Sequence, residues 1–215
     1  MKIIDKLSFA GAARLARQLD ESHQKRRVYY YGFQIVFGGV FKFVILCLLT
    51  TLLGVFIPTI TVLIFFASLR IIAGGYHFDK FNICLIISLL IFIVFGVFSQ
   101  YTYPFWPPWA LYLLSGAVFF FGLNVLSRWA PADTQNKPIT NPEDKKKFKK
   151  LSLIHICIWF PFVSLLIYFN SPLFALASCL GVTFAIFIVS PAGYSFFSHV
   201  NKLSRKSLKN IKLSI

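Results

Sequence analysis

Acidic residues are scarce in this chain: Asp and Glu together number 7 of 215 residues, against 22 Lys and Arg. Charged residues of both signs make up 13%. A water-soluble domain usually carries about a quarter, so a solvated globule is disfavoured. The 4 cysteines show no CxxC spacing and no secreted-style disulfide framework. No small-residue cleavage site follows a short apolar stretch near the start, and residues 1–27 are too long and polar for an n-region. The first apolar segment is therefore expected to stay in a membrane.

What the chain has in excess is apolar surface. Hydrophobic residues make up 57% and Phe alone contributes 26 side chains, more than one small aqueous core can bury. Lipid is the natural solvent for that surface. Six apolar stretches are predicted to span it: Val36–Ile57, Pro58–Ala73, Ile83–Tyr101, Pro107–Leu126, Leu151–Phe169 and Leu173–Val189. A spanning helix needs about 20 mostly apolar residues. The second stretch is short by that measure, and crosses only if Arg70 snorkels or the bilayer thins locally. The expected fold class is all-α: one polytopic membrane domain over 1–215, with the spanning helices in 36–192.

The net charge of +15 could suggest nucleic acid, but its placement argues otherwise. The excess sits in residues 1–27, in the connection from Arg128 to Lys150, in the tail after His199 and between Arg70 and Lys80, with Lys42 making up the rest. The alternate connections, near Gly54–Thr59, Gln100–Pro107 and Asn170–Pro172, carry no charge. By the positive-inside rule, both termini and the basic connections face the cytoplasm, and no nucleic-acid partner is needed. Lys42, near the start of the first stretch, is expected to snorkel to that interface.

Residues 1–27 place Ile4, Leu7, Gly11, Leu15 and Leu19 near helical spacing, with Lys and Arg opposite. The tail 199–215 repeats the pattern with Val200, Leu203, Leu208, Ile211 and Ile215. Both read as basic helices on the inner leaflet, with membrane lipid as partner. Docking of a peptide partner is the alternative use of these faces.

The segment from Arg70 to Cys84 concentrates the chemistry. It holds Arg70, Gly74, Gly75, His77, Asp79, Asn82 and Cys84 within fifteen residues on the expected cytoplasmic side. A cysteine nucleophile needs its thiolate, and a neighbouring imidazole can take the proton and return it to a leaving amine. Cys84 is expected in the first turn of the third spanning helix, where the dipole and the charges of Arg70 and Lys80 favour an anion. Cys47, Cys157 and Cys179 lie inside apolar runs and read as small buried hydrophobes.

Geometry adds a demand. Seven residues of straight helix rise about 10.5 Å, whereas nucleophile and base must approach to about 3 Å. His77 therefore cannot continue the helix that carries Cys84. The second helix is predicted to end near Ala73, with Gly74 and Gly75 letting a short loop fold His77 back over the thiol. Asp79 is a candidate to orient the imidazole or to pair with a cation, and Asn82 to orient it or to cap the third helix. Backbone N–H groups at the start of that helix are the candidate oxyanion donors. His23, His155 and His199 are rival bases with interfacial or structural readings. Zinc needs three or four protein ligands; only His77 and Asp79 stand near Cys84, so neither a metal nor another cofactor is expected.

Two motifs, in this order and membrane context, resemble the accessory gene regulator B (AgrB) family. They are Arg70…Gly74-Gly75-Tyr76-His77…Cys84, and Ser127-Arg128-Trp129-Ala130-Pro131-Ala132-Asp133-Thr134-Gln135-Asn136-Lys137-Pro138-Ile139. The resemblance covers nearly the whole chain. It implies a membrane cysteine endopeptidase that matures an AgrD-type pheromone precursor for quorum sensing, with Cys84 as nucleophile and His77 as general base. Arg70, Gly75 and Ser127 match positions of importance in that family. The implied product is a thiolactone or lactone ring, closed through a thioester acyl-enzyme. The 130–139 loop then either braces the site or holds the precursor. A transporter or an export scaffold without peptidase chemistry is the competing class, and a homodimer is one open assembly form. A transporter normally carries ionisable groups or broken helices at the midplane; here the third, fourth and sixth stretches hold none apart from cysteine.

Overall fold

A computed structural model describes residues 2–76, 78, 81–132 and 141–213. Its helices are α1 (Lys2–Gln18), α2 (His23–Leu52), α3 (Phe56–Ala73), α4 (Phe81–Thr102), α5 (Pro108–Trp129), α6 (Pro142–Tyr168), α7 (Pro172–Val189) and α8 (Pro191–Leu213), with one 3-10 turn at Tyr103–Phe105. Among the described residues there is no strand, only an isolated parallel bridge between Gly74 and Ala132. Six helices, α2 to α7, are long and apolar enough to cross a membrane. The all-α, six-helix class expected for the chain is what its backbone adopts.

Some boundaries differ from the hydropathy reading, each for a local reason. The first break falls at Leu53–Gly54, where Gly54 takes φ +68, and not at Pro58. Pro58 sits inside the first turn of α3, where a missing N–H removes no helical bond. The helix thus gains a residue pair at its start and spans 18 residues. Lys42 consequently stands well inside α2, about 15 Å of helix short of Leu52, and not near a helix start as expected. At α6, the Asn141 side chain accepts the Glu143 N–H at 3.0 Å, Pro142 occupies the first turn, and Glu143 and Asp144 face the positive end of the helix dipole. The lysine run Lys145–Lys150 is therefore helical.

The chain forms two compact units, residues 1–52 and 53–215. In the first, α1 folds back along α2. Ser8, Ala12 and Ala16 are buried, small enough for close approach, and Gln34 Nε2 donates to Asp5 at 2.9 Å. Leu7 and Leu19 stay exposed.

In the second unit α7 is the centre. Its buried residues cover every side of the helix, among them Ala175, Leu176, Cys179, Val182, Ala185, Ile186 and Val189, the signature of a helix enclosed by others. It packs chiefly on α3, where a side chain at Gly181 would collide with the Val62 carbonyl. Gly96 likewise lets α4 close on Thr59 of α3. Small residues permit such backbone approach where lipid supplies no hydrophobic drive between helices. Of the three cysteines read as buried hydrophobes, Cys179 is buried, Cys47 is half-buried and Cys157 is exposed. An outward apolar face is at home in lipid, so hydropathy does not separate the two surroundings.

Candidate functional site

The C-terminal ends of α3, α5 and α7 meet, and backbone bonds tie them. α3 ends at Ala73, with the Gly74 N–H returning to the Arg70 carbonyl at 3.0 Å. The chain then takes φ +71 at Gly74 and φ +121 at Gly75, conformations that a side chain would strain. The Gly75 N–H donates to the Ala132 carbonyl at 3.2 Å, and the Ala132 N–H to the Ala73 carbonyl at 2.9 Å. The Tyr76 N–H donates to the Ile188 carbonyl at 3.1 Å, at the last turn of α7. A Cβ on Gly74 would strike the Ala132 oxygen; on Gly75 it would strike Arg70 Nη1 and the Ile188 oxygen. Both glycines are thus required twice over, by torsion and by space.

Arg70 completes the turn. Half-buried in the last turn of α3, it spends one arm of its guanidinium on the Gly74 carbonyl at 2.7 Å and the other on the Tyr76 carbonyl. A planar, rigid fork suits two diverging acceptors better than an ammonium would. Among the described residues no carboxylate pairs with it. Its charge lies within electrostatic reach of the Cys84 thiol and the Tyr194 hydroxyl.

Cys84 is the fourth residue of α4, hence in its first turn, and is half-buried. Its Sγ lies 3.9 Å from the Ser88 hydroxyl one turn on. The side chain packs against a cluster of Phe78, Ile188 and Phe197, which Tyr76 and Ile83 also join. Residues 70–90 are not one helix, since 74–76 leave helical geometry and α4 begins at Phe81. His77 and Asp79 lie outside the described residues, as do Lys80 and Asp133–Ile139 of the second motif. The chain neighbours of His77 on either side, Tyr76 and Phe78, both belong to the cluster that holds Cys84.

The remaining candidates fall elsewhere. Asn82 is the second residue of α4 and exposed, inside the helix and not ahead of it as a cap. Ser127 Oγ donates to the Asn124 carbonyl of its own helix at 3.0 Å, so the link from this region to the glycine loop runs through the backbone of Ala132. Among the rival bases, His155 on α6 meets Ser68 of α3 at 2.9 Å. Ser68 directs its own hydrogen to the Phe65 carbonyl at 3.0 Å, so it accepts from Nε2–H, and His155 acts as a brace between helices. His199 is exposed on α8.

Four contributors had no signal that residue chemistry could flag. Ala132 and Ile188 hold the loop through backbone atoms. Tyr194 and Phe197 of α8 cage Tyr76, with ring centroids at 5.6 and 5.9 Å; their i, i+3 spacing was legible, their target was not.

The family profile described as Accessory gene regulator B matches residues 10–189. An AgrB-like protein 2 of Clostridium perfringens is 24% identical over 79% of this chain and 80% of its own length. The accessory gene regulator protein B of Staphylococcus saprophyticus is 27% identical over 73% of this chain and 80% of its own. Protein FsrB of Enterococcus faecalis is 28% identical over 66% of this chain and 56% of its own. No solved structure matches. With six helices able to cross a bilayer and a profile match running from α1 to the end of α7, this multi-pass membrane protein belongs to the accessory gene regulator B family.

Proposed function

We propose that the chain is a cysteine endopeptidase of the cytoplasmic membrane face that removes the C-terminal tail of an AgrD-type pheromone precursor and promotes its cyclisation for quorum sensing. The observation that carries this reading is the pinned loop. Backbone bonds to α5 and α7 and the Arg70 fork hold residues 74–76, while Tyr76 and Phe78 pack with Cys84. That packing brings both chain neighbours of His77 to the thiol-bearing cluster.

The chemistry then runs as follows. The imidazole of His77 takes the Cys84 proton, and the thiolate attacks the carbonyl joining the central segment to the tail. Backbone N–H groups at the start of α4, at the positive end of its dipole, stabilise the oxyanion. The C–N bond breaks, the tail leaves with the proton from the imidazolium, and a thioester remains on Cys84. A thiol or hydroxyl of the precursor gives its proton to the imidazole and attacks the thioester. Cys84 leaves as thiolate and the ring closes as a thiolactone or lactone. One activated acyl bond replaces another, so the ring needs no nucleotide. Water reaching the thioester would give a linear product, which favours a site at the apolar boundary. The exposed lysines of α6, Lys145 to Lys147, suit an acidic tail.

The test is co-expression with a tagged precursor. Cys84→Ala and His77→Ala should each leave it uncut, while Cys47→Ala, Cys157→Ala and Cys179→Ala should cut normally. Full processing by Cys84→Ala would overturn the assignment and favour a scaffold or transporter.

A further inference from the structure

The first two turns of α8 lie beyond the family match, which ends at residue 189, yet their rings pack on the candidate site. The corner leading into them is tightly built. Ser190 Oγ accepts the Gly193 N–H at 3.1 Å and donates to the Phe187 carbonyl at 2.7 Å. The Tyr194 N–H returns to the Ser190 carbonyl at 3.0 Å, and a Cβ on Gly193 would collide with the Phe187 carbonyl. The corner therefore sets the direction in which α8 leaves α7, and with it the places of Tyr194 and Phe197.

Those rings meet the glycine loop. Phe197 is 3% exposed. It stacks on Tyr76 at 5.9 Å with 22° between planes, and meets Phe78 edge-on at 5.4 Å. Tyr194 meets Tyr76 edge-on at 5.6 Å. One side chain thus contacts both chain neighbours of His77, and the same cluster carries Cys84. α8 itself is strongly two-faced, with Phe197 buried while Phe196, Lys202 and Leu203 are exposed.

We infer that α8 is the positioning element of the peptidase site, with Phe197 as its principal positioning residue and Tyr194 as its second. Resting on the peptidase reading above, this adds that the register of the glycine loop against the thiol-bearing helix is set from the C-terminal helix. Phe197 fixes Tyr76 and Phe78 in the cluster on which Cys84 packs. Effects of misplacing a base by about 1 Å reach on the order of a hundredfold in rate, so loosening one ring should register in turnover before it registers in folding.

The experiment uses the full chain in lipid nanodiscs with a synthetic AgrD-type precursor. Turnover is normalised to folded protein recovered by size exclusion. Iodoacetamide alkylation of Cys84 is followed in parallel in a background where the other three cysteines are Ala. Phe197→Leu keeps apolar volume without the ring and should lower kcat by about 10- to 100-fold, with KM within about twofold and Cys84 alkylation slowed in step. Phe197→Tyr should restore most of the rate. Tyr194→Leu, at a half-buried site, should give a smaller loss of the same kind. The exposed His199→Ala should behave as the unsubstituted protein. Unchanged kcat in both Phe197→Leu and Tyr194→Leu, or a loss carried by KM alone, would overturn the inference. Cleavage by Cys84→Ala would instead sink the peptidase reading itself, so the two failures are distinguishable.

Discussion

The two ends of α4 are built on different plans. At its far end the chain turns through Tyr103–Phe105 and Pro107 using local bonds, Trp106 N–H to the Tyr103 carbonyl and Ala110 N–H to the Pro107 carbonyl. The connection between α6 and α7 does likewise, with the Asn170 and Ser171 N–H groups returning to the Ile167 and Leu166 carbonyls. At the other end, residues 73–76 bond to Ala132 and Ile188, far away in sequence. Local turns suffice where a chain only has to reverse. Long-range backbone bonds appear where a short segment must be held in a stated place, and the two ends therefore differ in what a substitution should do.

The contrast is tested most severely at Gly75. Gly75→Ala places a Cβ against Arg70 Nη1 and the Ile188 carbonyl at φ +121. We expect cleavage of the precursor to fall below a hundredth, with roughly 2–4 kcal/mol lost from stability, read by detergent-resistant thermal unfolding. Arg70→Lys comes next. It keeps the charge but cannot serve both the Gly74 and Tyr76 carbonyls, and leaving one unpaired costs about 1–3 kcal/mol. Cleavage should drop about tenfold, and Cys84 alkylation should slow with it. Ser68→Ala removes the partner of His155 away from the loop. It should cost about 1 kcal/mol and leave cleavage within about twofold of the parent. The smallest effect belongs to the far end. Asn170→Gly, at φ +52, should shift stability by at most about 0.5 kcal/mol and leave cleavage untouched. A large loss of cleavage at Asn170, or none at Gly75, would erase the distinction between the two ends.

Much of the architecture was readable from apolar length and charge placement. The ends of α3 at Ala73 and α7 at Val189 fall where the apolar stretches stop. The start of α6 did not, because a lysine run lowers hydropathy while remaining compatible with helix. In the structure the helix starts earlier, capped by Asn141 ahead of Pro142 and Glu143. At the site, the glycine pair and Arg70 were visible as unusual residues in a membrane chain, and the helix break between Ala73 and Phe81 follows from them. Their partners were not visible, because carbonyl groups belong to every residue and carry no mark in the sequence. The aromatic cage from α8 was hidden for a related reason: aromatic rings are so abundant here that Tyr194 and Phe197 stand out only once their neighbours are known.

The bond between the Tyr76 N–H and the Ile188 carbonyl joins residues more than a hundred positions apart. A ribosome feeding this chain into a bilayer delivers the glycine turn long before the end of α7 arrives to close it. Until then the turn is held only by Ala132 and Arg70, and the thiol-bearing helix lacks the Ile188 and Phe197 side of the cluster against which it packs. In the proposed peptidase, reactivity would thus be withheld from unfinished copies until nearly the whole polypeptide has been inserted, a safeguard that follows from connectivity alone.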